Sequence, residues 1–463
     1  MKRKSSKLTK LFLGLIAIAL AAVAAALLMP TTAYAEGETK IYTAKDMQLI
    51  ADNPSGSFIL MNDIDMKDVD WTPVDFTGVF DGNNHAILNL SVNKTSEAIR
   101  TTYDGNYKTY DTCFAGLFGA LENAEVKNLT LLGEKVTIEK DAPCFIGTIA
   151  GFAEGSKIDN CNIVAECRLD VSCKMFGVGG IVGYGGSGSI TNTKNNVTLI
   201  CIDHDKENRD EQFMGGAYSA GFIDVDKCSI KIDGYDSDHG YVHNGGLVGM
   251  YILYPLGNTY AGYINNTRVE GMITFFEDNT DRRAYCKDFM GEVMNWTYEY
   301  VGNSSDFKPN EIKDYSKDLL PHYCEAGNYD SKVVESTCEE FGYTEYTCRD
   351  CSAYTFRADY TLKNHQLGNY EIIEDSTEEK EGLQKGICSV CGEEVYEIIP
   401  VKEPEVAEPE IEVEIPEEDV DTSKEKKEGS SDILLGVFLI LGALISAGLV
   451  GGIIFVVLKG KKR

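Results

Sequence analysis

Positive charge is scarce in this chain of 463 residues: 43 Lys and Arg stand against 73 Asp and Glu, a formal charge of −30. Nine of the basic residues lie in the first 35 and last five positions, which leaves 34 to face all 73 acids in between. Such a surface repels polyanions, so nucleic acid and anionic lipid headgroups are excluded as electrostatic partners. Several motifs are also missing. No His-Glu-x-x-His occurs, which excludes that form of zinc-protease chemistry. Neither Gly-x-Ser-x-Gly nor a phosphate loop occurs, which removes the usual serine-hydrolase and nucleotide-binding signatures. Between 38 and 290 there is no ten-residue helical stripe, so a helical body is excluded as well.

The two ends are read before the body. "MKRKSSKLTK" is basic, Leu11 to Met29 is apolar, and Ala33-Tyr34-Ala35 follows. That order is a secretory signal, with cleavage expected after Ala35. Ile433 to Leu458 carries no charge and precedes "KGKKR". As a helix it spans about 39 Å, enough for a hydrocarbon core of about 30 Å, and the basic tail 459–463 stays cytoplasmic. The expected arrangement is a single-pass protein of the cell membrane with its bulk outside. Segment 401–432 is rich in Pro and Glu without aromatics, so it reads as an acidic extended stalk.

What the body does have is repetition. "GLFG" (116–119) returns as "TIAG" (148–151), "GIVG" (180–183), "GGAYS" (215–219) and "GLVG" (246–249). Asn128, Asn160 and Asn192 each follow the tetrad's last glycine by nine residues, and Asn89 and Asn266 mark the same element elsewhere. Two landmarks at a fixed separation over several periods indicate a solenoid. Short apolar stretches broken by Gly, Asn and Ser predict three strands per coil, with coils about 4.8 Å apart. Met47, Leu49 and Ile50 in "TAKDMQLIAD" (43–52) predict a short helical N-terminal cap.

These tetrads, with the entry "AKDMQLIADNPSGSFILMNDIDMKDVDWTPVDFTGVFDGNNHAILNL", resemble the GLUG-motif repeat proteins of Gram-positive bacterial surfaces. The resemblance covers about 40–290. It implies a right-handed parallel β-helix outside the cell and little about activity, because the repeat serves as an accessory scaffold. In this chain Thr148 and Ser219 stand where the pattern has glycine. The expected organisation is therefore mainly β: signal 1–35, parallel β-helix 38–290, cap or linker 291–320, two Cys-x-x-Cys modules 321–400, stalk 401–432 and membrane helix 433–458.

The modules rest on a second repeat. "STCEEFGYTEYTCRDCSAY" and "STEEKEGLQKGICSVCGEE" align at an offset of 40, and the pair resembles small Cys-x-x-Cys modules found in tandem in Firmicutes surface proteins. Cys338, Cys348, Cys351 and His365 could supply a Cys₃His zinc site within the first module. Cys388 and Cys391 lack such partners in the second, where Glu378 replaces the first cysteine, so a site shared by Cys348, Cys351, Cys388 and Cys391 is the alternative. Disulfides compete with zinc in an extracellular setting, and redox chemistry lacks its βαβ context. Cys113 and Cys144 precede their coil glycines by similar distances and could stack within bridging reach or fill space as small apolar groups.

Acidic loops are the remaining candidates. Counting twelve residues back from each coil's leading glycine gives Asp104, Asp203 and Asp233. With Asp205, Asp236, His204, His239, His243 and several tyrosines they predict one rim, suited to an extracellular glycan, a protein or Ca²⁺. Polar loops are equally what solenoid insertions look like without any ligand. Asp63 and Asp65 alternate on a strand and so share a face, Asp81-Gly82 is a turn signal, and all three read as structural. The leading functional reading is a non-enzymatic binding, adhesive or spacer scaffold. Its rival is a glycan-active β-helix enzyme using carboxylates of the 203–243 edge.

Overall fold

The computed structural model describes residues 37–103, 109–203, 211–221, 223–236, 241–251, 263–275, 285–287, 290–293, 299–301, 303–308, 328–349 and 355–402. The described residues are mainly β, about 60 % strand and 3 % helix, and their larger part is a parallel β-solenoid whose sheets stack seven to nine strands. A representative turn contains Thr109–Ala115, Phe118–Glu122, Glu125–Lys127 and Thr130–Lys140. Each strand pairs in parallel with its counterpart one turn on: Phe114 with Phe145, Phe118 with Ala150, Glu125 with Lys157, Thr130 with Asn162. From Thr109 on, four sheets therefore build the rod, not the three expected from the sequence. Three-residue strands such as Glu125–Lys127 are too short to show alternation, so the fourth strand leaves no pattern to read. The ladders also pass the expected boundary at 290. Ser304–Lys308 still pairs in parallel with Arg268–Met272, inside the stretch expected to be cap or linker.

The tetrads turn the corner between the first two strands. Gly116 and Leu117 form the bend, and Phe118 already opens the next strand. These corner glycines are needed for space. A Cβ on Gly116 would stand 2.4 Å from the carbonyl oxygen of Gly147, and one on Gly180 2.1 Å from that of Gly216. The two departures from glycine are accommodated by hydrogen bonds between turns. Thr148 Oγ1 donates to the Gly180 carbonyl at 2.8 Å, and Ser219 Oγ donates to that of Gly183 at 2.6 Å. Both side chains are buried, so each polar atom is satisfied where it would otherwise be costly.

The asparagines mark a different corner, where the backbone enters the left-handed region. Asn89, Asn128, Asn160, Asn192 and Asn266 have φ between 49° and 55°. Asparagine tolerates that conformation because its short amide bonds locally. Here the amides also bond along the rod: Asn160 Nδ2 to Asn128 Oδ1 at 2.8 Å, Asn192 Nδ2 to Asp159 Oδ1 at 2.6 Å and Asn266 Nδ2 to Asp226 Oδ1 at 2.9 Å. The turn without the landmark has Lys227 there, at φ 55°.

The main apolar core of the rod runs from Ile41 through Phe80, Leu117, Ile149 and Ile181 to Val269, and a second, smaller cluster gathers Phe114, Phe145, Phe152, Tyr184 and Phe213. The N-terminal cap comprises a 3-10 turn, Asp46–Gln48, and a short helix, Leu49–Asp52. Met47 and Ile50 are fully buried as expected, but Leu49 faces solvent. After the solenoid come two three-stranded antiparallel meanders. The first is Tyr329–Val334, Gly342–Cys348 and Thr355–Thr361; the second is Leu367–Glu374, Gly382–Cys388 and Glu394–Ile399. Among the described residues no helix is long and apolar enough to cross a membrane. The expected signal, most of the stalk and the expected span at 433–458 lie outside the described residues.

Candidate metal centre

In both meanders a threonine opens a tight turn: Thr337 Oγ1 accepts the amide N–H of Glu340, and Thr377 Oγ1 that of Lys380. The next residue is Cys338 in the first and Glu378 in the second. A later segment crosses each turn, with Asn364 N–H donating to Thr337 O and Lys402 N–H to Thr377 O. The 362–366 linker therefore lies against the Cys338 turn. On its other side it meets the second Cys-x-x-Cys turn, because Ser389 N–H donates to Gln366 O at 3.0 Å. His365 sits between these two attachments.

This geometry brings together a set of ligands that the sequence divided differently. The Cys338, Cys388 and Cys391 sulfurs lie within 4.8 Å of one another, and His365 Nδ1 is 3.4 Å from Cys391 Sγ. Cys348, expected beside Cys338 in a first-module site, is not in the cluster; it is buried near the opposite end of its own meander. Cys351 lies outside the described residues. The reason is the offset between modules. Each Cys-x-x-Cys turn bonds to the segment before its own meander, as Arg349 N–H does to Asn328 O and Ser389 N–H does to Gln366 O. Cysteines near in sequence thus belong to different ends of a module.

The Cys388–Cys391 turn is shaped as a metal knuckle. The amides of Cys391 and Val390 point at the Cys388 sulfur, and with His365 close by they bring its thiol down to about 6. Gly392, at φ 79°, lets the chain reverse so that its N–H returns to Cys388 O. Cys338 is displaced the other way, upward, by desolvation and by the neighbouring thiols Cys391 and Cys388. Glu393 Oε2 stands 3.9 Å from His365 Nε2, so the imidazole lies between a sulfur and a carboxylate. That is how metal-binding histidines are commonly oriented.

Glu393 also links this cluster to the solenoid. Lys363 Nζ lies 3.7 Å from Glu393 Oε2 and 3.4 Å from Asp63 Oδ2. Burial works to raise the Asp63 pKa, but His85, Lys363 and the Ala86 N–H together hold it below the ordinary carboxylate value. Asp63, His85 and Glu393 also converge, but the Lys363 ammonium already supplies their positive charge. Two asparagines fasten the meanders down. Asn62 donates to Tyr396 O at 2.8 Å and accepts Tyr396 N–H at 2.9 Å. Asn89 does the same with Tyr360, at 2.8 and 3.0 Å. Tyr360 buries its ring among Ala86, Leu88 and Leu132. A cavity of about 340 Å³ remains between the first coils and the second meander, edged by Tyr42, His85, Leu362 and Tyr396. None of this docking was visible in the sequence. In "MNDIDM" the sequence shows only that Asp63 and Asp65 share one face of a strand, and Asn89 reads only as a repeat landmark.

The other candidates fare differently. Asp104, Asp205, His204 and His239 lie outside the described residues. Asp233 and Asp236 belong to the strand Ser229–Asp236, not to a loop. Asp233 pairs with Thr198 and Asp236 with Cys201, whereas Asp203, at the end of its strand, pairs with Val171. Asp203 and Asp233 therefore occupy different rungs. Counting back from the glycine fails because the insertions 204–210 and 237–240 differ in length. His243 is buried and stacks on Phe213 at 5.2 Å. Cys113 and Cys144 do stack in register, as free thiols. The Cys144 contact, helped by Lys140, brings Cys113 down to about 7. Compared with known protein families and with curated proteins, the chain matches no family model and no curated sequence.

Proposed function

We propose that this protein is a membrane-anchored scaffold of the cell surface, a right-handed β-solenoid held outside the cell by the acidic stalk and the 433–458 helix. The observation that carries the reading is the use to which the described turn carboxylates are put. Asp65, Asp81, Asp159 and Asp226 each accept a side-chain amide from the asparagine corner. Acids committed to holding one turn on the next build a rod. They are not free to work on a substrate.

The proposed anchorage rests on the uncharged run from Ile433 to Leu458 and the basic residues after it. The resemblance to GLUG-repeat surface proteins supports the same placement. Protease treatment of intact cells making the protein should release fragments of the 36–402 region into the medium while the tail stays with the membrane pellet. Recovery of intact chain from the cytosol overturns the reading. Binding of the shed fragments to glycan and matrix-protein arrays then separates an adhesive rod from a spacer.

A further inference from the structure

We propose that Cys338, His365, Cys388 and Cys391 form a single tetrahedral zinc site assembled across the two meanders, and that this metal keeps them docked on the first coils of the solenoid. The site is described by three geometric observations. Three sulfurs converge within 4.8 Å, close to the spacing of about 3.8 Å that Zn–S bonds of about 2.3 Å require. An imidazole nitrogen stands 3.4 Å from one of them. A carboxylate, Glu393, stands behind the histidine.

A disulfide accounts for fewer of these features. Any pairing of two cysteines leaves the third cysteine and the histidine without a role. Zinc uses all four ligands and leaves no open position, the arrangement of a structural site.

The link to docking follows from where the ligands lie in the chain. His365 is two residues from Lys363, which reaches Asp63 of the solenoid. Cys391 is two residues from Glu393 and five from Tyr396, which Asn62 clamps. The segments that hold the metal are those that hold the rod. Losing the ion frees the 362–366 linker from the knuckle, and with it the geometry that presents Lys363, Glu393 and Tyr396 together.

The full chain, purified without chelator, should carry one zinc equivalent that C338S, C388S and H365A each remove and C348S retains, read by elemental mass spectrometry. Where a variant fails to fold, cobalt added to the chelator-stripped parent gives the second readout, a charge-transfer band of three thiolates. Chelator, and not reductant alone, should speed amide exchange at Tyr360 and Tyr396, whose N–H groups are held by Asn89 and Asn62. Zinc that survives C388S but not C348S overturns the assignment. So does a peptide map with Cys338 disulfide-bonded to Cys388 or Cys391, or exchange that responds to reductant and not to chelator.

Discussion

Most described cysteines of the solenoid are buried as small apolar fillers, whereas three of the four described in the meanders converge on one another. Cys161 and Cys228 are buried in the rod, and burial pushes their thiols up to about 12. Cys388, among backbone amides and beside an imidazole, is brought down to about 6. The difference follows from what surrounds each. The rod stacks like on like and has a long core with a second cluster of aromatic residues. The meanders bury little beyond Cys348, Tyr360, Leu383 and Cys388, and leave Val333, Ile372, Ile373, Ile387 and Val390 in solvent. Parallel coils supply their own core at each repeat, whereas a three-stranded sheet alone cannot. It needs a staple or a surface to lie on, and the second module has candidates for both.

The largest separation between the two regions should come from the metal site. Structural zinc in small domains contributes on the order of 10 kcal/mol. Chelation, or C388S, should therefore melt the 328–402 region while the solenoid keeps its strand signal. Circular dichroism with limited proteolysis reads both. A single joint transition would mean that the meanders share the rod's stability. The converse perturbation is Gly180→Val. Its Cβ would meet the Gly216 carbonyl at 2.1 Å, where only backbone can move. Overpacking of this kind costs about 1–3 kcal/mol or more. The rod's melting temperature should fall while zinc content is unchanged.

What could be read from the sequence divides along the same line. The rod was legible because its corners demand particular residues. A left-handed corner selects Asn160 and Asn192, and a contact of 2.4 Å selects Gly116. Such demands recur every turn, so they print a period. The metal site was half legible. Its residue types were evident, but their grouping was not, since Cys338 lies ten residues from Cys348 and fifty from Cys388. Chain proximity favours the wrong partner, and only the crossing of the linker over the Thr337 turn decides otherwise. Docking through Asn62 and Asn89 joins residues more than 270 positions apart and has no periodic signature at all.

A buried acid tests the rod's interior at smaller scale. Glu134 follows the bulge at Gly133 and points inward with Val136 and Ile138; neither carboxylate oxygen has a hydrogen-bond partner among the described residues. Burial pushes its pKa well above the ordinary value of 4.5. The folded state therefore holds a proton that the unfolded chain releases above that value, so stability falls as pH rises from there towards the folded pKa. Glu134→Leu should remove the slope and stabilise the rod at neutral pH by about 1–3 kcal/mol. The gain should shrink in acid below the ordinary carboxylate range, where folded and unfolded chains both carry the proton. Equal gains at both pH values would show that the carboxylate is not the cause. Denaturant midpoints across pH give the measurement.

The smallest effect expected is at the one asparagine corner that lacks asparagine. Lys227 adopts φ 55° between the Asn192 and Asn266 positions of neighbouring turns. A long side chain has no local hydrogen bond to offset the left-handed conformation, a penalty of about 1 kcal/mol. Its one visible compensation is an exposed ion pair with Asp226 at 3.2 Å, of a kind that contributes about 0–1 kcal/mol. Asparagine at 227 would accept the backbone conformation, with Thr191 at the rung where the neighbouring turns place Asp159 and Asp226. Lys227→Asn should thus stabilise the rod by about 0.5 kcal/mol, whereas Asn160→Ala, which keeps the strain and loses the bond to Asn128, should destabilise it by about 1 kcal/mol. If the two substitutions shift the denaturation midpoint in the same direction, the asparagine ladder marks the corners without supporting them.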